Sequence, residues 1–222
     1  MPTPLTKDER DFAHQRALMV DRHVKARSVR DPRVLQAMRD VPRHLFVPAV
    51  MAAKAYGPGA LPIGAKQTIS QPFIVARMIE LLELTGKEKV LEIGTGTGYQ
   101  AVVLSKLCAK VFSIERVNEL ALRAAELVRA MKIHNVSVKV FDGTYGWSDQ
   151  APFDRIIVAA AGPAVPEPLV QQLARTGKMI IPIGPEGNQR LARVTRVGTS
   201  TSIEDCGSAE FVPLVGKFGW KE

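Results

Sequence analysis

VLEIGTGTGYQ, residues 90–100, is the stretch on which the reading of this chain turns. Three β-forming residues, Val90, Leu91 and Ile93, surround one acid, Glu92. Glycines follow at 94, 96 and 98, and then a helix-like run from Gln100 to Leu107. That order is a buried strand, a tight turn and a helix start. Glycine permits φ > 0 and leaves no Cβ in the path of an approaching ligand. The helix N-terminus adds free N–H groups at the same place.

The spacing of the glycines discriminates among ligands. A dinucleotide fingerprint, G-x-G-x-x-G, would put its third glycine at 99. That position is Tyr99, and the third glycine is Gly98. The pattern E-x-G-x-G-x-G resembles motif I of the Rossmann-like S-adenosylmethionine methyltransferases. A second acid, Glu115, ends the next apolar run, VFSIE, 21 residues after Gly94. An acid at that strand end is suited to hold ribose hydroxyls.

From Val90 the pattern alternates. Strands are expected at 90–93, 111–115, 136–140, 154–159 and 178–183, with helices at 99–107, 117–131 and 165–174. Each helix is long enough for a right-handed crossover. VLEI, RIIVAA and MIIPI read as strands buried on both faces, as in a parallel sheet. Upstream, a helix is expected over 6–27, packing through Phe12, Leu18, Met19 and Val24. A second starts at Asp31-Pro32, with Asp31 capping and Pro32 in the first turn. Val34, Leu35 and Met38 are its apolar face. A Gly/Pro-rich loop, 56–64, precedes a third helix that begins at Ser70 and carries Val75, Met78, Ile79 and Leu82 on one stripe. After Gly184, LARVTRV and SAEFVPLV read as a terminal hairpin-like pair. The fold expected is α/β: a Rossmann-like, doubly wound, mostly parallel sheet with helices on both faces, an N-terminal helical region and a C-terminal antiparallel β addition. Residues 1–222 form one domain, divided into 1–85 (helical region and substrate loop), 86–184 (cofactor-binding core) and 185–222 (β extension). A ligand belongs at the carboxyl ends of the first three strands.

Composition narrows the function classes. With 222 residues, 46% of them hydrophobic, the chain can bury one substantial core. Lys7-Asp8-Glu9-Arg10-Asp11 shows no signal-peptide pattern, and no apolar run approaches the ~20 residues of a membrane span. Cys108 and Cys206 have no metal spacing and read as reduced thiols of a cytoplasmic protein. His14, His23, His44 and His134 form no ligand pair, so no metal is expected. The net charge is +8, and residues 1–54 contribute +5 of it through eleven Lys or Arg against six Asp or Glu. That admits an acidic or nucleic-acid partner. Without aromatic interleaving, a solvated helical surface is the simpler account.

Further segments bear on the substrate: PRHLFVP (42–48), QTISQP (67–72), FDGTYGW (141–147), DRIIVAAAG (154–162) and FVPLVGKFGW (211–220). With the glycine turn, they resemble the protein-L-isoaspartate O-methyltransferase family from about Asp21 to Trp220, QTISQP being the most specific part. The resemblance implies methyl transfer from S-adenosylmethionine, with S-adenosylhomocysteine as product, to the free α-carboxylate of L-isoaspartyl residues in damaged proteins and peptides. The ester would then cyclise to a succinimide whose hydrolysis returns some aspartate. Such a carboxylate, with a reference pKa of about 3.5, is ionised at neutral pH and needs no general base. Alignment then carries the catalysis.

By the same resemblance, Ser70 is the active-site serine; the plain alternative is a helix N-cap. Thr68, Ile69 and Ser70 line the cofactor from the loop. Glu92, Gly94, Thr95, Gly96 and Gly98 form the methionine-side turn, although Glu92 also reads as a strand-end polar residue. Glu115 takes the ribose hydroxyls, and its loss is expected to leave ligand-free stability nearly unchanged. Asp142 and Gly143 lie near adenine, or form a bare turn. Val212, Pro213, Leu214 and Val215 pair by backbone with the substrate, or form an edge strand. The chain departs from the family pattern at Lys66 and Phe141, each where a glycine is usual, and at Gly57-Pro58, where an acid is common. The alternative reading is a nucleic-acid or small-substrate methyltransferase using the same cofactor. Against it, AAAGPAVPEP (159–168) lacks the N/D-P-P-aromatic motif of the amino-directed base methyltransferases. No nucleic acid, membrane or metal partner is expected, and the chain is expected to be a monomer.

Overall fold

The computed structural model describes residues 6–221. The helical N-terminus forms as the pattern requires. Helix α1 (Lys7–Met19) opens with a capping box between Thr6 and Glu9. It continues through a π turn, Val20–Val24, and a 3₁₀ turn, Lys25–Arg27. Helix α2 (Pro32–Asp40) has the Asp31 side chain accepting from the Arg33 N–H, with Pro32 in its first turn. Residues 61–69, part of what reads as loop, close as a small antiparallel hairpin of β1 (Leu61–Gly64) and β2 (Gln67–Ile69). Its turn holds Lys66 at φ 55°, a left-handed conformation that favours the glycine usual there. Helix α3 (Pro72–Leu81) follows, and its N-cap is Gln71. The expected start at Ser70 is therefore one residue early, and Ser70 is not the cap.

Next come β3 (Lys89–Ile93), α4 (Tyr99–Ser105), β4 (Lys110–Glu115), α5 (Asn118–Ala130), β5 (Val136–Val140) and β6 (Phe153–Val158). Helix α6 (Glu167–Gln171) leads to β7 (Leu173–Ile183), β8 (Gln189–Val197) and β9 (Ser200–Ala209). The sheet runs β5-β4-β3-β6-β7-β8-β9, parallel from β5 to β7 and antiparallel beyond. The chain moves outward from β3 to β5 and then returns to β6 beside β3, so the strand order reverses between β3 and β6. Alternation along each strand feeds two cores. Val90, Val111 and Ile157 face a core shared with α1 to α5. Leu91, Phe112 and Ile156 face one closed by α6, Trp147 and the C-terminal segment. Helices therefore lie on both faces, but unequally.

Two expectations need correction. The helix expected over 165–174 spans only Glu167–Gln171, and Leu173 already pairs with Phe153. The stop comes from Arg196 on β8. Its Nη1 donates to the carbonyls of Val170 (3.2 Å), Gln171 (3.2 Å) and Leu173 (2.7 Å). Nothing local signals a cap that arrives from more than twenty residues away. The second correction concerns SAEFVPLV. The last strand is the upstream run STSIEDCGSA, which is mostly exposed and held by backbone pairing to β8. It lacks an apolar face, so periodicity misses it. Val212–Val215 leaves the sheet and crosses the strand ends instead. Ala161 N–H donates to Val212 O at 2.9 Å, and Leu214 N–H donates to Ala161 O at 2.8 Å.

Among the described residues no helix is long and apolar enough to cross a membrane. Cys108 is buried, and burial pushes its thiol up to about 12, consistent with a packing role. Removing the Arg196 side chain takes a donor from three carbonyls. Arg196→Ala is expected to lower stability by about 1.5–3 kcal/mol, which is roughly 3–10 °C in the melting temperature for a chain of this size. An unchanged melting curve would show that the cap does not end the helix.

Candidate active site

The glycine turn sits where β3 ends. Gly94 and Thr95 both donate to Ile114 O, at 2.8 and 3.2 Å, and carry the chain over β4. Gly94, Gly96 and Gly98 have φ of 90°, 54° and 85°, which side chains rarely adopt. Gly98 is the N-cap of α4, and a Cβ there would lie 3.3 Å from Ala124 Cβ on α5. Glu115 fixes the rim. Its Oε2 accepts from Gly96 N–H at 2.8 Å and its Oε1 from Val117 N–H at 2.9 Å. Each carboxylate oxygen has a further lone pair, and Glu115 is only 7% exposed, on the cleft wall.

Beneath the turn lies a polar network. Glu92 is 0% exposed. Gln100 Nε2 donates to its Oε1 at 3.0 Å, and the Ser113 hydroxyl donates to its Oε2. The Thr95 and Ser113 hydroxyls share a hydrogen bond at 2.5 Å. One carboxyl thus joins β3, β4, the turn and α4. Burial pushes Glu92 up to about 7, against the two hydrogen bonds, which lower it; the charge of Glu115 adds a smaller upward push.

The cleft above occupies about 920 Å³, counting its open mouth, within the range of small-molecule sites. Its floor is the glycine turn; Thr68, Ile69 and Ser70 form one wall and Val212–Val215 another. A broader groove of about 1740 Å³ adjoins it and shares Thr68, Ser70, Ala159, Val212 and Pro213. Ser70 therefore stands at the junction. Its carbonyl accepts from Arg43 Nη2 at 2.7 Å, and its hydroxyl has no hydrogen-bond partner among the described residues.

Most of the residues singled out in the sequence converge here: Thr68, Ile69, Ser70, Gly94, Thr95, Gly96, Glu115, Gly143 and Val212–Val215 all line the cleft. Three do not. Glu92 lies under the floor, and Gly98 packs α4 against α5. Asp142 turns away: its Oδ1 accepts from Thr144 N–H and Oγ1, and its Oδ2 from Lys217 N–H at 2.9 Å. It clasps the C-terminal segment. Gly143 is held against the end of β3, where a Cβ would overlap Ile93 Cγ2. Sequence reasoning passed over Thr97, Tyr99, Gln100, Arg116, Val117, Ala159 and Ala160, which also line the cleft. Their adjacency to the turn, to Glu115 and to the end of β6 was the available signal. No group of three or more His, Cys, Asp or Glu that could hold a metal occurs among the described residues.

A turn with glycine at 94, 96 and 98 and a strand-end carboxylate with spare acceptor capacity, at the switch point of a seven-stranded sheet, define an S-adenosylmethionine-dependent methyltransferase of the Rossmann-like class. A family model described as protein-L-isoaspartate(D-aspartate) O-methyltransferase matches residues 14–219, and the chain belongs to that family. Protein-L-isoaspartate O-methyltransferases of Trichlorobacter lovleyi and Geobacter metallireducens are 49% and 50% identical to it, each over 95% of this chain and 97% of the relative. A solved structure of a protein-L-isoaspartate O-methyltransferase superposes with a TM-score of 0.82 at 26% identity, covering 93% of this chain and 67% of that one. A Plasmodium falciparum chain described as a protein-L-isoaspartate O-methyltransferase, in complex with S-adenosyl-L-homocysteine, shares the fold with a TM-score of 0.74 at 24% identity, over 89% of this chain and 96% of that one.

Two outcomes follow from the two acids. Glu92 holds a proton in the folded protein between about pH 4.5 and 7 that the unfolded chain has released. The folded state binds more protons there, so the stability present at low pH falls as pH rises through about 7, by roughly 3 kcal/mol. Glu92→Gln is expected to remove that contribution in ligand-free melts; a stability difference between wild type and Glu92→Gln that stays constant over the window would refute the assignment, since the wild-type curve alone also carries His44, whose lowered value acts in the opposite direction. Glu115→Ala removes acceptors from Gly96 and Val117. Contrary to the sequence expectation, ligand-free stability should fall, by about 1.5–3 kcal/mol. The cofactor dissociation constant should rise at least about ten-fold, as read by calorimetry with S-adenosylhomocysteine.

Proposed function

We propose that this enzyme transfers the methyl group of S-adenosylmethionine to the free α-carboxylate of L-isoaspartyl residues in damaged proteins and peptides, initiating repair to aspartate, with Ser70 as its catalytic residue. The observation that carries the reading is the position of Ser70: a hydroxyl with no partner among the described residues, shared by the cofactor cleft and the adjoining groove. A peptide in that groove presents its carboxylate to the hydroxyl and, through it, to the cleft.

The bound cofactor supplies an electrophilic methyl group on a sulfonium. The chain's own residues supply binding and alignment. Glu115 receives ribose hydroxyls on its spare lone pairs. Gly94, Thr95 and Gly96 leave room for the methionine end, with Gly98 and the buried Glu92 holding the turn in shape. Thr68 and Ile69 close the wall beside Ser70. Gly143 borders the adenine side, and Asp142 steadies it by clasping Lys217. The Ser70 hydroxyl donates to the substrate carboxylate and orients it. No residue removes a proton, because the carboxylate is already ionised. Alignment of this kind is worth up to roughly 7–11 kcal/mol.

Val212–Val215 borders the cleft, and its Val212 and Pro213 also border the groove. Its inner edge is used by Ala161, which leaves the opposite edge for backbone pairing with the substrate. The whole chain acts as one methyltransferase domain: 1–85 supplies the helical cover and the Ser70 loop, 86–184 the cofactor core and 185–222 the β extension. Residues 1–5 and 222 lie outside the described part. Two free thiols support a cytoplasmic setting, and we assign a monomer. The alternative, a nucleic-acid methyltransferase favoured by the net charge of +8, lacks a base-directed motif after β6.

Transfer of tritiated methyl groups to an isoaspartyl peptide, its aspartyl twin and bulk RNA tests the reading. Label is expected in the first alone, because the normal isomer lacks the free α-carboxylate arm. Equal labelling of both peptides, or labelling of RNA only, would overturn it. Because Gln71 is the cap, Ser70→Ala is expected to melt within about 2 °C of wild type. Its kcat and kcat/KM are expected to fall together, with S-adenosylhomocysteine affinity retained.

A further inference from the structure

Arg43, the second residue of PRHLFVP, is 0% exposed, yet no carboxylate pairs with it among the described residues. Its Nε donates to Ala55 O at 2.8 Å and its Nη2 to Ser70 O at 2.7 Å. The guanidinium carbon lies 4.7 Å from the centre of the Tyr99 ring. Its Nη1 is buried without a hydrogen-bond partner among the described residues. Tyr99 is itself buried and lines the cofactor cleft, with its hydroxyl donating to Met38 Sδ at 3.4 Å. One cation therefore touches both halves of the site: the backbone of the serine loop and an aromatic wall of the cleft.

A guanidinium buried without a counter-charge is a poor way to fill a core, since an apolar side chain of similar volume packs there at least as stably. What it supplies is direction. A guanidinium presents rigid, forked donors, unlike the flexible ammonium of lysine. The Ser70 hydroxyl has no partner of its own among the described residues, so its position depends on how the backbone is held. Two things hold it: the pairing of β2, which ends at Ile69, and the bond from Arg43.

We infer that Arg43 is a positioning residue for methyl transfer, holding the Ser70 carbonyl against the Tyr99 side of the cleft so that the serine hydroxyl meets the substrate carboxylate in line with the methyl donor. The inference rests on the isoaspartyl reading of the site. Arg43 never touches substrate; it acts through Ser70. Misplacement of a reacting group by about 1 Å costs on the order of 100-fold in rate, so loss of the clamp appears in turnover before it appears in binding.

The test uses the full-length enzyme with an isoaspartyl peptide. Arg43→Met, Arg43→Lys and Ser70→Ala are made singly, and each Arg43 variant is also combined with Ser70→Ala. For each, kcat and KM, the dissociation constant of S-adenosylhomocysteine and the melting curve are measured, with rates taken per folded molecule. Arg43→Met is expected to lower kcat about 10- to 100-fold, with product affinity within about threefold of wild type. Arg43→Lys should recover part of the loss, since it retains one donor. In the Ser70→Ala background either change should lower kcat by less than about twofold, because residues acting as one unit are not additive. An unchanged kcat with a lower melting temperature would make Arg43 merely structural and overturn the inference. Effects that multiply with Ser70→Ala would do the same. If Arg43→Met does not fold, Arg43→Lys decides by the same criteria. A wild-type enzyme inactive on the isoaspartyl peptide would overturn the parent reading and the inference together, whereas an active wild type with indifferent Arg43 variants overturns only the inference.

Discussion

The geometry of the cleft depends on a carboxyl group that no solvent reaches. Glu92 lies one residue before the end of strand β3, and from there its two oxygens engage Gln100 on α4 and Ser113 on β4, with Thr95 of the turn joined through Ser113. Four segments are tied to one point. Burial pushes the carboxyl up to about 7 against these hydrogen bonds. A buried acid costs several kcal/mol unless it is paired and hydrogen-bonded. An apolar residue would avoid that penalty but could not specify where the helix begins relative to the strands. The glycines permit the turn; the network beneath them selects one turn from those permitted.

The same logic runs along the rim. Glu115 is satisfied from below by Gly96 and Val117 before any ligand arrives, so its carboxylate is already aimed. Asp142 is spent on holding the C-terminal segment to the Gly143 turn. The walls of the cleft come from the first third, the middle and the last few residues of the chain. Each is attached by hydrogen bonds to backbone: Arg43 to Ser70, Ala161 to Val212 and Leu214, Asp142 to Lys217. The reaction needs no acid or base, only two reactants held in line. A site made largely of attached backbone suits that demand, because backbone has few ways to move once bonded.

What could be read without coordinates was whatever is encoded locally. The glycine turn, the acid 21 residues on and the two-sided apolar strands are short-range patterns, and each lies where its period or spacing puts it. Ser70 was legible only through resemblance, since a serine before Gln-Pro reads equally well as a helix cap. The fold gives the cap position to Gln71 instead.

By itself the sequence determined the order of strands and helices from β3 to β8, the kind of ligand the turn admits and the family to which the chain belongs. Periodicity and glycine spacing act over a few residues and survive without tertiary context. Only the folded structure decided that β9 is the polar run Ser200–Ala209, that α6 stops at Gln171, that Glu92 supports the site without facing it and that Arg43 underlies Ser70. Each of these rests on a partner distant in sequence: β8 for an edge strand with no apolar face, Arg196 for the helix end, Ser113 for the buried acid and the Ser70 carbonyl for the arginine. A hydrogen bond between distant residues leaves no period in the chain, so it becomes visible only when the fold brings its two ends together.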